Sequence, residues 1–369
     1  MKATTGLRTA ALSLVAFLLL VSAAGAATAL AKRPAPRTLA TSRTAVYAFA
    51  QSRDALAWVA ADGRVRVKRI SSGRTSVVGK VDPPERASSA ALALAGTRAL
   101  WAWDSGGNSY ETAFATGAPG RRQAGFGGLQ GGARNFGDGE RFGGLAADAT
   151  TLAFGWADEA CAGQPFGLCD LCDPLGSCPL VVVGGGVAIV PAQVSRQRPP
   201  VIPGVTPPAL FAIRGGRVAV VPAASPAPEG AAVPRVAANG PVEVFDLAGH
   251  LLTRFQVPGL VRGVAFGGRE LAVLLERPFG EMSVRWYDSR NGRYLRGRGG
   301  FPAGTTGLAA SPSGTLVRVG VAIYLLRGGL VQLVAVAAAR PLGLSIQGHR
   351  IAWAESVHGK GRIRAVTFR

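Results

Sequence analysis

One short unit recurs seven times along this chain, and it constrains the fold more than any other feature. Each copy has an apolar strand, a turn of polar residues or glycine, and a second apolar strand whose opening residue serves as a landmark. The landmarks are Leu56, Leu100, Leu152, Val218, Leu271, Leu316 and Ile351. They follow one another at intervals of about 35 to 66 residues, close to the length of a propeller blade. We therefore predict an all-β fold: a single β-propeller of about seven four-stranded blades.

The outer strands of the units alternate polar and apolar residues, as half-exposed strands do. Examples are Val65–Lys68 and Arg362–Val366. The last unit has only three strands before Arg369, and a propeller must close its ring to avoid two open sheet edges. We expect the missing outer strand to come from the N-terminal segment Arg37–Thr41.

The composition is that of one closed β domain with long connections. Of the 369 residues, 48% are hydrophobic and 17% are charged, so there is ample material for a core. The 51 glycines and 24 prolines favour many turns over long helices. Two Pro-rich insertions, residues 191–208 and 222–241, lengthen the middle of the repeat array.

Residues 1–31 have the pattern of a secretion signal. A short basic start precedes the apolar run Ala10–Val21, and Ala29–Ala31 fits a cleavage site for small residues, with Ala24–Ala26 as an alternative site. An uncleaved membrane anchor is the alternative. We expect the propeller to span residues 32–369 and to be secreted or held in the cell envelope. The richness in Ala, Gly, Arg and Val is typical of a bacterial protein from a GC-rich genome.

All four cysteines lie in a third insertion, residues 158–180, with the spacing C-x7-C-x2-C-x5-C. Four thiolates can hold zinc, but zinc sites usually combine two close couples and this segment has one. An exported chain meets an oxidising space, which favours two disulfides. Three pairings are possible. We favour the nested one, Cys161 with Cys178 around Cys169 with Cys172, because it suits a hairpin whose strands enter and leave the loop.

The formal net charge of +20 has two interpretations. It could attract anionic polymers, or it could reflect genome composition, since the arginines are scattered along the chain. The Gly-rich stretch Gly117–Gly144 is interpreted as a flexible loop. Its arginines and exposed backbone amides could bind an anion, which makes Arg121, Arg122, Arg134 and Arg141 candidate site residues.

Turn motifs indicate a family resemblance. The sequence Ser-Pro-Ser-Gly at residues 311–314 resembles the Ser-Pro-Asp-Gly turn of TolB-like and tryptophan-aspartate-repeat propellers, with Ser313 where Asp is usual. Val244–Gly249 and Tyr287–Gly292 are similar to the hydrophobic-Asp-x-x-Gly turn of the same families. The resemblance covers residues 42–369 as an architecture. It implies a binding or scaffolding propeller rather than an enzyme.

Residues that could carry chemistry are sparse in this sequence. The three histidines, His250, His349 and His358, fall in predicted turns, and the serine-hydrolase and zinc-protease motifs do not occur. We therefore expect no catalytic residue, no metal site and no cofactor. Trp58 and Trp353 occupy equivalent repeat positions, which indicates core residues between blades.

The sequence favours an exported, non-catalytic propeller that acts as a ligand- or partner-binding scaffold. One alternative is a lyase- or glycosidase-type enzyme that works from the central channel. Another is a basic protein that adheres to an anionic wall polymer. We expect a monomer that binds a protein or envelope ligand and no specific nucleic acid. It would contact a membrane only through an uncleaved signal.

Overall fold

The chain forms a ring of antiparallel sheets. A computed structural model describes residues 35–106, 109–133, 139–162, 180–193, 197–224 and 236–368. The sheets form the seven blades of a single β-propeller, as predicted, and blades 2 and 3 are joined into one seven-stranded sheet. The first strand, β1 (Arg37–Ser42), belongs to the last blade.

Blades 1 to 3 follow in chain order. Blade 1 consists of β2 (Val46–Gln51), β3 (Ala55–Ala60), β4 (Arg64–Arg69) and β5 (Thr75–Lys80). Blade 2 consists of β6 (Ala91–Ala95), β7 (Arg98–Asp104), β8 (Ser109–Gly117) and β9 (Ala124–Ala133). Blade 3 consists of β10 (Gly139–Ala147), β11 (Leu152–Cys161) and β12 (Leu180–Val190). At its outer side Val201 forms one antiparallel bridge with Ala188 in the place of a fourth strand.

Blades 4 to 7 complete the ring. Blade 4 consists of β13 (Pro208–Arg214), β14 (Arg217–Pro222), β15 (Pro241–Asp246) and β16 (Leu251–Gln256). Blade 5 consists of β17 (Leu260–Gly267), β18 (Glu270–Glu276), β19 (Met282–Asp288) and β20 (Tyr294–Phe301). Blade 6 consists of β21 (Thr305–Ser311), β22 (Gly314–Val319), β23 (Ala322–Arg327) and β24 (Leu330–Val336). Blade 7 consists of β25 (Leu342–Gln347), β26 (Arg350–Val357), β27 (Lys360–Thr367) and β1.

The N-terminal strand closes the ring, which confirms the predicted closure. β1 runs antiparallel to β27, with Thr38 opposite Arg364 and Ser42 opposite Gly361. A register shift between Thr38 and Ala40 leaves Leu39 as a bulged residue. The outer edge of blade 7 is therefore covered by a segment more than three hundred residues away in sequence.

The Gly-rich stretch Gly117–Gly144 is mostly strand in the residues that the structure describes, so its interpretation as a flexible loop was wrong. β9 and the start of β10 lie in it, and the two pair at Gly131 and Gly139. The glycines serve close packing here. A Cβ on Gly128 would lie 2.7 Å from the Thr112 carbonyl oxygen, so a larger residue would push neighbouring backbones apart.

Buried second strands form the core between blades. All six residues of β3 are buried, because the strand has a blade on each side. Trp58 and Trp353 are 2% and 1% exposed, which confirms them as core residues. The described helices are two short 3-10 segments, Pro84–Ser89 and Pro278–Gly280. No helix of the described residues has the length and apolar character of a membrane span.

Candidate functional site at the channel mouth

The ends of the first strands converge at one mouth of the central channel. Each blade starts at the channel and continues outward through antiparallel strands, so the turns from first to second strands lie together at this end. A cavity of about 810 Å³ opens here. Blades 1, 2, 3, 4 and 7 contribute to its lining.

The cavity has an apolar wall and a polar rim. Phe49 and Ile213 are buried in the wall, and Leu92, Leu145 and Leu344 are partly exposed to the cavity. The polar side chains of the rim include Gln51, Arg53, Asp54, Asp148, Arg214 and Gln347. Both charge signs thus surround an apolar hollow, an arrangement common to sites for small molecules and for protein segments.

Tight turns between first and second strands determine where the rim residues lie relative to the channel. In blade 4 the turn consists of Gly215 and Gly216, whose φ angles are 56° and 73°. Glycine adopts this left-handed region without a steric penalty, so β13 can reverse into β14 within two residues. Arg214 at the end of β13 is held beside the channel as a result.

An arginine occupies the first position of the second strand in three blades and reaches the next blade. Arg98 donates hydrogen bonds to the carbonyl oxygens of Val190 and Pro191 at 2.9 and 2.6 Å. Arg217 donates to the Ser289 hydroxyl at 2.8 Å. These bonds join blade 2 to blade 3 and blade 4 to blade 5.

Arg350 makes the corresponding connection between blade 7 and blade 1. Its guanidinium donates to Oε1 of Gln51 at 3.0 Å and to the carbonyl oxygens of Ser52 and Arg53 at 2.8 and 3.0 Å. Burial, followed by repulsion from Arg37, lowers the pKa of Arg350. A guanidinium keeps its charge despite such a shift, so the contact is charge-assisted.

Two further hydrogen bonds hold the rim between blades. The Ser52 hydroxyl donates to the Gly96 carbonyl oxygen at 2.6 Å, which links blade 1 to blade 2. The Gly215 N–H donates to Oδ2 of Asp148 at 2.6 Å, which links blade 4 to blade 3. The rim is therefore ordered before a ligand arrives, and this lowers the entropic cost of binding.

The arrangement suits recognition by charge and shape. Arg53 and Asp54 are exposed at the rim, while Arg214 is half-exposed across the cavity. In the described part of the chain, no group of three or more His, Cys, Asp and Glu side chains is placed to hold a metal ion. The expectation of no cofactor stays a prediction.

Of the candidate anion-binding arginines, the three that the structure describes are not brought together. Arg121 and Arg122 are exposed in the turn between β8 and β9, and Arg134 lies outside the described residues. Arg141 lies on β10 and is fully buried, with its Nε 3.4 Å from Oε2 of Glu159. A buried cation needs a nearby carboxylate, so this pair serves the interior of blade 3 and leaves no loop site at Arg141.

The cysteine insertion begins where a hairpin of blade 3 opens. Cys161 is the last residue of β11, stands opposite Leu180 of β12 and is disulfide-bonded. Cys169, Cys172 and Cys178 lie outside the described residues, so the nested pairing stays a prediction. The β-strand register narrows the predicted insertion from 158–180 to the segment between Cys161 and Leu180.

The turn residues singled out in the sequence lie in turns. Ser311 accepts a hydrogen bond from the Ser313 N–H at 3.1 Å, and Asp246 accepts one from the His250 N–H at 2.9 Å. His349 and His358 also lie in turns between strands.

The rim could not be predicted from the sequence, because its residues belong to turns whose sequences do not show which of them meet in space. One signal was present. An arginine stands one or two residues before the landmark in three of the seven units, at Arg98, Arg217 and Arg350. A repeated charged residue beside a buried strand indicates a contact to a neighbouring element.

Comparisons with known proteins add little to this picture. No family model matches the sequence, and no curated protein matches it. The crystal structure of BamB from Moraxella catarrhalis is similar at a TM-score of 0.45 and 12% identity, covering 88% of this chain and 85% of that chain. The crystal structure of the computationally designed Ika8 protein is similar at a TM-score of 0.48 and 16% identity, covering 89% of this chain and 98% of that chain. The fold assignment rests on the strand pairing itself.

Proposed function

We propose that this chain is an exported, non-catalytic propeller that binds a partner or ligand at the channel mouth. The observation that carries the proposal is the ordered polar rim around a cavity of about 810 Å³ that has leucines in its wall. A rigid concave surface with a few placed polar groups is the usual form of a recognition site. We expect the chain to act as a monomer.

Two features support a location in the cell envelope or outside the cell. The N-terminal sequence has the pattern of a secretion signal. Cys161 is disulfide-bonded, and structural disulfides persist in oxidising compartments.

An enzyme acting from the channel is the alternative. It would need several titratable side chains that converge on the channel axis. The described first strands instead bring Leu92, Leu145 and Leu344 to the wall. This observation favours binding over catalysis at the mouth.

Site-specific photo-crosslinking in the producing cell tests the proposal. A photoreactive residue at Gln347, on the rim, is expected to give one discrete adduct. The same residue at Ser72, in an exposed turn of blade 1, is the matched control and is expected to give none. Leu344→Trp should fill the mouth and abolish the adduct without lowering the melting temperature. Equal adducts at both positions would contradict the proposal.

Export is tested separately by fractionation and N-terminal sequencing of the mature protein. The expected result is a protein outside the cytoplasm that begins at Lys32. A cytoplasmic protein that retains Met1 would contradict export and would leave the channel-mouth assay interpretable.

A further inference from the structure

A second cavity, of about 470 Å³, lies at the seam where the ring closes. It is bounded by β1 of blade 7 on one side and by β3, β4 and β5 of blade 1 on the other. Trp58 stands opposite Arg66, and Lys68 stands opposite Thr75, so these side chains share the blade 1 face toward blade 7. We call this cavity the seam pocket.

Trp58 forms the floor of the pocket. Its ring lines the pocket and is 2% exposed, so it offers an aromatic surface beside the charged lining. Its indole Nε1 is itself buried, so a molecule in the pocket does not reach it.

Lys68 gives the pocket a positive charge that no carboxylate neutralises among the described residues. Its Nζ donates one hydrogen bond, to the Leu39 carbonyl oxygen at 2.6 Å. An ammonium group has three N–H donors, so two remain for another acceptor. The Leu39 carbonyl is available because the register shift of β1 makes Leu39 a bulged residue.

The rest of the lining strengthens the preference for an anion. Arg66 lines the pocket and is held in place by two bonds to Asp62, at 3.0 and 2.7 Å. Thr38, Thr41 and Thr75 add hydroxyl groups, and none of the described lining residues is acidic. Donors on several sides of one positive charge suit a tetrahedral oxyanion with several acceptor oxygens.

We propose that the seam pocket binds a phosphate group, held by the Lys68 ammonium and the threonine hydroxyls. The pocket is larger than a phosphate ion, so the group is either free or carried on a small molecule. Since its walls come from β1 of blade 7 and from blade 1, the bound anion would also hold β1 against blade 1. This site is separate from the channel mouth and does not depend on the proposed function.

Equilibrium dialysis of the full-length protein against labelled inorganic phosphate tests the site. We expect one saturable site per chain. Lys68→Met should weaken binding at least about tenfold. Lys80→Met is the matched control, since it removes one lysine from the same blade away from the pocket, and it should change affinity less than about twofold.

A variant at the exposed edge of the pocket tests the site even if the Lys68 variant does not fold. Thr75→Asp places a carboxylate beside Lys68 and should abolish binding with an unchanged melting temperature. A hexose phosphate as second probe distinguishes the source: tighter binding than phosphate indicates an ester, and weaker binding indicates the free ion. No saturation up to about 10 mM of either probe would overturn the proposal. So would equal losses in the Lys68 and Lys80 variants, which would indicate attraction by net charge alone.

Discussion

The seam between blades 7 and 1 and the seam between blades 1 and 2 are built on the same tryptophan position and differ in what covers it. Trp58 is the fourth residue of β3, and Trp101 is the fourth residue of β7. Each packs against the preceding blade, and each has an indole Nε1 without a partner among the described residues. The seam beside Trp58 opens into a cavity of about 470 Å³.

Glycines close the second seam. A Cβ on Gly79 of β5 would lie 2.5 Å from the Trp101 ring, and one on Gly117 of β8 would lie 3.3 Å from it. The missing side chains let the backbone lie directly on the indole. At the seam between blades 7 and 1 the outer strand is β1, and the bulge at Leu39 shifts the register of β1 against β27. The same repeat position therefore gives a core contact or a pocket according to the neighbouring outer strand.

Removing β1 should lower the stability of the protein more than any other change to the two seams. Deletion of residues 32–41 would expose the edge of β27 and uncover one side of Trp58. We expect the melting temperature to fall by at least about 10 °C, because strand pairing and apolar burial are lost together. A chain that begins at Lys32 is the control. An unchanged melting temperature would refute the closure by β1.

Filling the closed seam should be more damaging than filling the open one. Gly79→Val places side-chain atoms against the Trp101 ring and should lower the free energy of unfolding by about 1–3 kcal/mol. Thr75→Val at the lip of the seam pocket should change it by less than about 0.5 kcal/mol. Urea unfolding measures both values. Equal effects would mean that the two seams do not differ in packing.

The two seams should also differ in their hydrogen bonds at the channel mouth. Arg350→Met removes three bonds between blades 7 and 1 and should cost about 1–3 kcal/mol of unfolding free energy. Ser52→Ala removes the bond between blades 1 and 2 and should cost about 0.5–1.5 kcal/mol. The reverse order in urea unfolding would show that Arg350 does not hold the closing seam.

Substitution of Asp62 should change the free energy of unfolding least, because the Asp62 side chain is largely exposed. The hydrogen bond from Arg66 lowers the pKa of Asp62 below its ordinary 3.8, so the ionised carboxylate stabilises the folded state. Its contribution is present above the ordinary value and is lost as the pH falls through the lowered value. Asp62→Asn should therefore cost at most about 0.5 kcal/mol at neutral pH and nothing in strong acid. A larger difference in acid than at neutral pH would contradict this sign.

The repeat could be predicted from the sequence because strand pairs leave a local, periodic trace. The pair Ala45–Phe49 and Leu56–Trp58 predicted β2 and β3 within one or two residues. The closing strand followed from the three strands of the last unit. Contacts between blades left only the repeated arginine as a trace, and its partners could not be predicted, since Arg350 and Gln51 are 299 residues apart.

Glycine misled the prediction in blades 2 and 3 for a physical reason. Gly128 looks like a turn residue, yet its missing side chain allows neighbouring strands to pack closely. Arg141 stands among such glycines and looked solvent-exposed. Its partner Glu159 lies on the next strand, so its burial depends on a hairpin whose register the sequence does not show.

Hydrogen exchange of the β1 amides is the decisive experiment, because both the closed ring and the seam pocket depend on that strand. The paired amides of Thr38–Ser42 should exchange as slowly as those of β5, the outer strand of blade 1. Exchange at the rate of an unstructured peptide in the intact protein would contradict the closure by β1.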